Sequence, residues 1–292
     1  KKIMCININD GCKCDKRQLE LKEMFHKHIV MFSGGAGSWA TAMRVKEKYG
    51  TDNLYLVFAD TLVEDEDLYR FLKDAAKQIG GTFVHLKEGR DIWQVFKDDR
   101  FLGNSRLANC SKFLKQRPSR EWLESNAQPD NCTVYVGIDW METHRLPAIE
   151  KAYLPYTAKA PMTEAPYMDK DQVLDWMAKE GIKPPRLYGM GFAHNNCGGF
   201  CVRSGQAQFK KLLEMFPDRY EYHKNKEEEL RQYLDKDVSI LKDRRGGTTK
   251  PMTLKSFENR LIDERNKLDD EDDWGGCGCF VDEEKPENTL YQ

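Results

Sequence analysis

The chain has 292 residues, 40% of them hydrophobic, 11% aromatic and 32% charged, which excludes disorder for most of its length and leaves ample material for a buried core. Lysine and arginine number 46 against 48 aspartate and glutamate, a formal charge of −2, so no global field draws in nucleic acid and only a local basic patch could do so. No apolar run approaches the roughly 18 residues of a membrane span or follows the layout of a secretory signal, and a cytoplasmic protein without membrane partners is expected.

In chain order, residues 1–27 read as an appendage carrying Cys5, Cys12 and Cys14 and a short amphipathic stretch, Leu19–Phe25. The apolar run His28–Phe32 predicts a first strand, Ser33–Ser38 a glycine-rich loop, and Trp39–Tyr49 a helix stopped by Gly50. Leu54–Ala59 predicts a second strand, Leu68–Ile79 a second helix, and Thr82–Leu86 a third strand. Strands alternating with helices imply an α/β fold on a parallel sheet. Cys110–Glu124 has helical spacing with Pro118 at a kink or boundary, and Cys132–Ile138 predicts a fourth strand ending at Asp139. After a proline-rich passage and a helix over Lys170–Glu180 the alternation stops. Residues 207–236 read as helices, Asp243–Pro251 as a basic glycine-rich loop, and Gly275–Cys279 as a glycine- and cysteine-rich tail. The expected division is therefore an appendage (1–27), a nucleotide-binding α/β domain with a cysteine cluster (28–205) and a mostly helical C-terminal region (206–292).

Five features carry candidate chemistry. In Ser33-Gly34-Gly35-Ala36-Gly37-Ser38, adjacent glycines let successive amides face one anion at a helix start, which suits phosphate. The nine cysteines are an odd set, and in a reducing compartment they argue for catalytic or metal-bound thiols rather than a disulfide framework. Cys197 and Cys201 are brought close by a short glycine-containing turn, which suits an iron–sulfur cluster or zinc. Arg244 and Arg245, in the basic loop, can donate to phosphate, whether of a nucleotide or of a nucleic-acid backbone. Asp139 ends the fourth strand, where ligands of open α/β sheets bind, and His144 and Arg145 follow it. His194-Asn195-Asn196 precedes Cys197 and is a candidate for orienting a cluster or a substrate.

The loop Ser33–Ser38 resembles the pyrophosphate (PP) loop of the adenine nucleotide alpha-hydrolase superfamily, which includes ATP pyrophosphatases and the phosphoadenosine phosphosulfate (PAPS) reductase family. The resemblance continues through Phe58-Ala59-Asp60-Thr61, the Cys110–Lys115 segment, and Gly181–Phe192 leading into Cys197–Cys201. It implies a Rossmann-like parallel-sheet core that binds ATP or a related adenine nucleotide through Ser33, Gly34, Gly35, Gly37, Ser38 and Asp60, with Asp139, Arg145, Arg244 and Arg245 as further contacts and magnesium as a companion ion. It further implies that Cys110 joins Cys197 and Cys201 on a [4Fe–4S] cluster, with zinc as the alternative metal and with Cys277 or Cys279 as a fourth ligand or that position left open. Asp60 and the tail thiols of Cys277 and Cys279 become the catalytic candidates. Three departures stand out: Gly37 where many ATP-cleaving relatives carry aspartate, a single Cys110 where iron–sulfur members have two adjacent cysteines, and Cys-x3-Cys in place of Cys-x2-Cys.

The implied activity is adenine-nucleotide-dependent sulfur transfer or base modification, with a nucleic-acid or small-molecule sulfur acceptor and a homodimer as candidate partners. The alternatives are a sulfonucleotide reductase and a non-catalytic nucleotide-binding subunit of a nucleic-acid modification or defence assembly.

Overall fold

In the computed structural model, residues 25–264 are described. The candidates Cys5, Cys12, Cys14, Cys277 and Cys279 lie outside them.

Five parallel strands form the central sheet in the order β3-β2-β1-β4-β5: β1 Lys27–Met31, β2 Leu54–Asp60, β3 Thr82–Lys87, β4 Cys132–Tyr135 and β5 Thr157–Lys159. His28 pairs with Leu54 on one side and with Thr133 on the other. Strands buried on both faces read as nearly continuous apolar runs, as β1 and β2 do. Val30, Phe32, Leu54, Leu56 and Phe58 face a layer made by α1 (Ala36–Tyr49), α2 (Glu66–Ile79) and α6 (Lys170–Lys179). Ile29, Met31, Val57 and Val134 face the other way, toward α4 (Arg117–Asn126) and α5 (Leu146–Tyr153). The result is a three-layer α/β/α sandwich.

The third apolar cluster joins α3 (Ile92–Asp98), the Cys110–Leu114 turn, the short helix α7 (Arg186–Gly189) and the region after residue 200. That region contains α8 (Gln206–Met215), α9 (Pro217–Leu234), a small antiparallel hairpin of β6 (Leu241–Asp243) and β7 (Lys250–Met252), and α10 (Leu254–Glu264). The C-terminal helices therefore share a core with residues 92–114. No helix among the described residues is long and apolar enough to cross a membrane.

Carboxylate caps fix where helices begin. Asp65 accepts the amide of Asp67 at the start of α2, and Asp91 and Asp169 form reciprocal capping boxes with Gln94 and Gln172 at the starts of α3 and α6.

Candidate functional site

In the sheet, the chain leaves β1 toward β2 on one side, while β4 lies on the other. The carboxyl ends of β1 and β4 therefore flank the topological switch point, the place where open α/β sheets leave a crevice. Ser33–Ser38 sits there, leading directly into α1.

Gly34 has φ +77, and a Cβ on it would lie 2.5 Å from Leu68 Cδ1, so only glycine suits the position. Ala36, Gly37 and Ser38 open α1, and their amides have no intrahelical carbonyl to bond. The Ser38 hydroxyl donates to the Gly35 carbonyl at 2.9 Å, and that of Ser33 to Ser38 Oγ at 3.3 Å. Gly137, just past β4, presses onto this turn: a Cβ there would stand 2.8 Å from the Ser38 nitrogen, and one on Gly37 would stand 3.1 Å from the Gly137 carbonyl oxygen. The close β1–β4 approach thus accounts for glycine at 37, and it leaves little room for an aspartate.

Above the loop is a cavity of about 260 Å³. Ser33, Gly35, Gly37 and Ser38 form its floor, and Asp139 and Arg145 line it as well. Asp139 accepts the Met141 amide at 2.8 Å, and Arg145 pairs with Glu142. The opposite wall brings Asp169, Lys170, Tyr188, His194 and Asn196. Lys170 donates to the Ala193 carbonyl at 2.9 Å and lies 4.6 Å from the centre of the Tyr188 ring. Burial lowers its pKa from the ordinary lysine value. The Tyr188 hydroxyl accepts the Ala36 amide at 3.2 Å, and Asn195 Nδ2 donates to the Gly34 carbonyl at 3.1 Å. Lys170 carries no local sequence signal, and Tyr188, though inside the Gly181–Phe192 segment singled out in the sequence, meets the loop through a contact across 152 residues.

Asp60 ends β2 almost fully buried, and its two oxygens are engaged away from this cavity. One accepts from the Leu62 amide and the Tyr69 hydroxyl, the other from His85 Nε2, all at 2.9 Å, with Lys87 Nζ at 3.9 Å. Arg244 and Arg245 are exposed at the β6–β7 hairpin and are not among the residues lining the cavity. Arg245 instead pairs with Asp243 at 3.0 Å, which holds the Asp243 carboxyl down at about 2.

Cys110, Cys197 and Cys201 do come together, as buried thiols lining one small cavity with Thr61, Lys115 and Arg203. A π-helical stretch, Lys112–Gln116, follows Cys110 and turns Lys115 inward, where it lies 3.6 Å from the buried carboxylate of Glu64. The cavity measures about 20 Å³, the room of about one water. Among the described residues no group of three or more His, Cys, Asp and Glu side chains is placed to hold a metal ion. The expected [4Fe–4S] cluster is therefore not supported by these residues, nor is a preformed magnesium site. Cys132, by contrast, is a core thiol of β4 whose pKa burial pushes up to about 11.

No known family model matches the chain. It is 25% identical to an uncharacterized protein of Methanocaldococcus jannaschii over 223 residues, covering 71% of this chain and 51% of that one. The chain thus spans about half the length of the curated relative it matches. Among solved structures it is similar to the phosphate complex of PAPS reductase from Candida auris, with a TM-score of 0.43 and 14% identity over 62% of this chain and 86% of that chain.

Proposed function

We propose that the chain binds an adenine nucleotide with its phosphates on the Ser33–Ser38 loop and uses it in sulfur transfer to, or modification of, a nucleic-acid base or small molecule. One observation carries the reading: a glycine-lined cradle of helix-start amides lies at the switch point of a parallel sheet, at the foot of a cavity. Loop amides and the Ser33 and Ser38 hydroxyls take phosphate oxygens, Lys170 and Arg145 add positive charge, and apolar side chains such as Met162, Met168 and Val173 offer a surface for the base. In the ATP-dependent reaction an acceptor oxygen takes the adenylyl group while the loop stabilises the leaving pyrophosphate; a cysteine persulfide, charged by an external sulfane-sulfur donor, then attacks with its terminal sulfur and displaces AMP, and a second thiolate attacks the cysteine's inner sulfur, freeing the thiolated product and leaving a disulfide that an external dithiol reduces. The residues that carry sulfur in this reading are Cys110, Cys197, Cys201 or the tail pair Cys277 and Cys279. No step requires a cluster.

A second reading, sulfonucleotide reduction, draws on Gly37: without a carboxylate there, the loop has no side chain to position a metal on a triphosphate.

Incubating the full chain anaerobically with labelled ATP, and separately with PAPS and a dithiol, distinguishes these readings. Pyrophosphate released from ATP is the expected result. Sulfite released from PAPS selects the reductase, and tight binding with neither product selects a nucleotide-sensing subunit. Absence of saturable binding to either nucleotide contradicts the proposal.

A further inference from the structure

One stretch of chain, Tyr188–Gly199, touches the phosphate loop at its start and the thiol cavity at its end. The Tyr188 hydroxyl holds the amide of Ala36, the first residue of α1, and stands 3.3 Å from where a Cβ on Gly35 would lie. It occupies the place that an oxygen of a bound phosphate would take. Farther along, Asn195 is 1% exposed and is tied to the Gly34 carbonyl. Two residues on, the Cys197 amide donates to the Glu64 carboxylate at 2.6 Å.

Cys197 has φ +51 and ψ +39, and Gly198 and Gly199 follow at φ +60 and +88. An L residue at the head of such a left-handed run persists only while its surroundings hold it there. Those holds are Glu64 on the Cys197 amide, Arg219 on the Gly198 carbonyl at 2.5 Å, and Asn195 on the phosphate loop.

We propose that this segment is a latch that couples phosphate occupancy of the loop to exposure of the Cys197 thiol, an inference that rests on the nucleotide reading above. A phosphate oxygen takes the Ala36 amide from Tyr188, because a charge-assisted hydrogen bond is stronger than the neutral one it replaces. Tyr188 moves off, Asn195 loses its register with Gly34, and the left-handed turn relaxes, bringing Cys197 out of its cavity. The coupling is reciprocal: whatever opens the turn also favours phosphate binding. Lys170, packed on the Tyr188 ring, is the cation that faces this exchange.

The test uses the full chain and inorganic pyrophosphate. Binding is measured by calorimetry, while alkylation of Cys197 by iodoacetamide is followed by peptide mass spectrometry with Cys132 as internal control. Saturation is expected to raise the Cys197 alkylation rate about five-fold or more and leave Cys132 unchanged. Tyr188→Phe keeps the ring but weakens the competing contact, so it is expected to bind pyrophosphate roughly five-fold more tightly and to alkylate faster at Cys197 without ligand. Binding with no change at Cys197, an equal change at Cys132, or weaker binding by Tyr188→Phe overturns the latch and leaves the nucleotide site standing. Absence of binding by both pyrophosphate and ATP overturns the two together.

Discussion

At the residue scale, Gly137 and His223 show how single side chains, or their absence, set the limits of the fold. Gly137→Ala drives a Cβ to within 2.9 Å of the Gly37–Ser38 backbone. Urea unfolding should show a loss of about 1–3 kcal/mol, and nucleotide affinity should fall with it; unchanged stability would mean that the β1–β4 contact is looser than described. His223 is 3% exposed, stacks on Phe200 at 3.5 Å between ring centres, and accepts the Trp93 indole N–H through Nδ1 at 3.0 Å. Trp can only donate, so this ring is the neutral Nε2–H tautomer. Burial, and then Arg219, lower its pKa from 6.5 to about 3; burial, then His26 and Lys159, bring His28 to about 4. Each folded pKa lies below its unfolded value, so their contribution to stability is lost as pH falls below 6.5. Glu227 has the opposite sign: burial raises its pKa to about 7, against the lowering effect of the Ile240 and Leu254 amides, and its contribution falls as pH rises from about 4.5 to 7. Between pH 5 and 6 the three groups leave a net positive slope. Glu227→Gln should steepen that slope by about 1.4 kcal/mol per pH unit and a neutral replacement at His223 should flatten it by the same amount. Chemical unfolding at several pH values gives both slopes.

At the element scale, the start of α2 clamps the cysteine-bearing segment. Asp65, 2% exposed at its side chain, meets Arg186 at 2.8 Å and Arg219 at 3.1 Å. Arg70 reaches the carbonyls of Lys183 and Pro184 at 2.9 and 3.0 Å. Asp65→Asn should cost about 2–3 kcal/mol and speed local hydrogen exchange across residues 186–199 more than across β1 and β2. Equal acceleration everywhere would argue against a local clamp. The sequence reveals β1, its loop and α1 because an apolar run, paired glycines and a helical pattern follow one another in register. It does not reveal β5, a three-residue strand at the sheet edge, or α5, whose segment opens on Leu146-Pro147 and reads as irregular. The loop read over Asp243–Pro251 is the connection of a hairpin, and only its two ends belong to strands, β6 and β7, of three residues each, which the sequence does not reveal. Such short elements owe their existence to tertiary contacts rather than to periodicity.

At the scale of the whole molecule, two cavities among the described residues invite comparison as sites for small ligands. One is the site over the phosphate loop. The other, about 870 Å³, lies between α1 and α6, lined by Arg44, Lys48, Tyr49, Tyr135, Lys159 and Trp176 among others. The larger one lacks the amide cradle, and its Arg44 is already occupied by the carbonyls of Pro161, Glu164 and Pro166. The convergence of Cys110 with Cys197 and Cys201 is foreshadowed only by family resemblance, since nothing local to 110 points across ninety residues of chain. Tyr188 lies inside the Gly181–Phe192 resemblance, but nothing in that segment announces its contact with Ala36.

Hydrogen–deuterium exchange of the full chain with and without ATP reads these two cavities apart directly. Slowed exchange is expected at Ser33–Ser38 and Gly137–Arg145, with no protection centred on Arg44, Tyr49 and Trp176. Protection confined to that larger groove, or saturating ATP binding that leaves the loop amides untouched, would contradict the nucleotide reading.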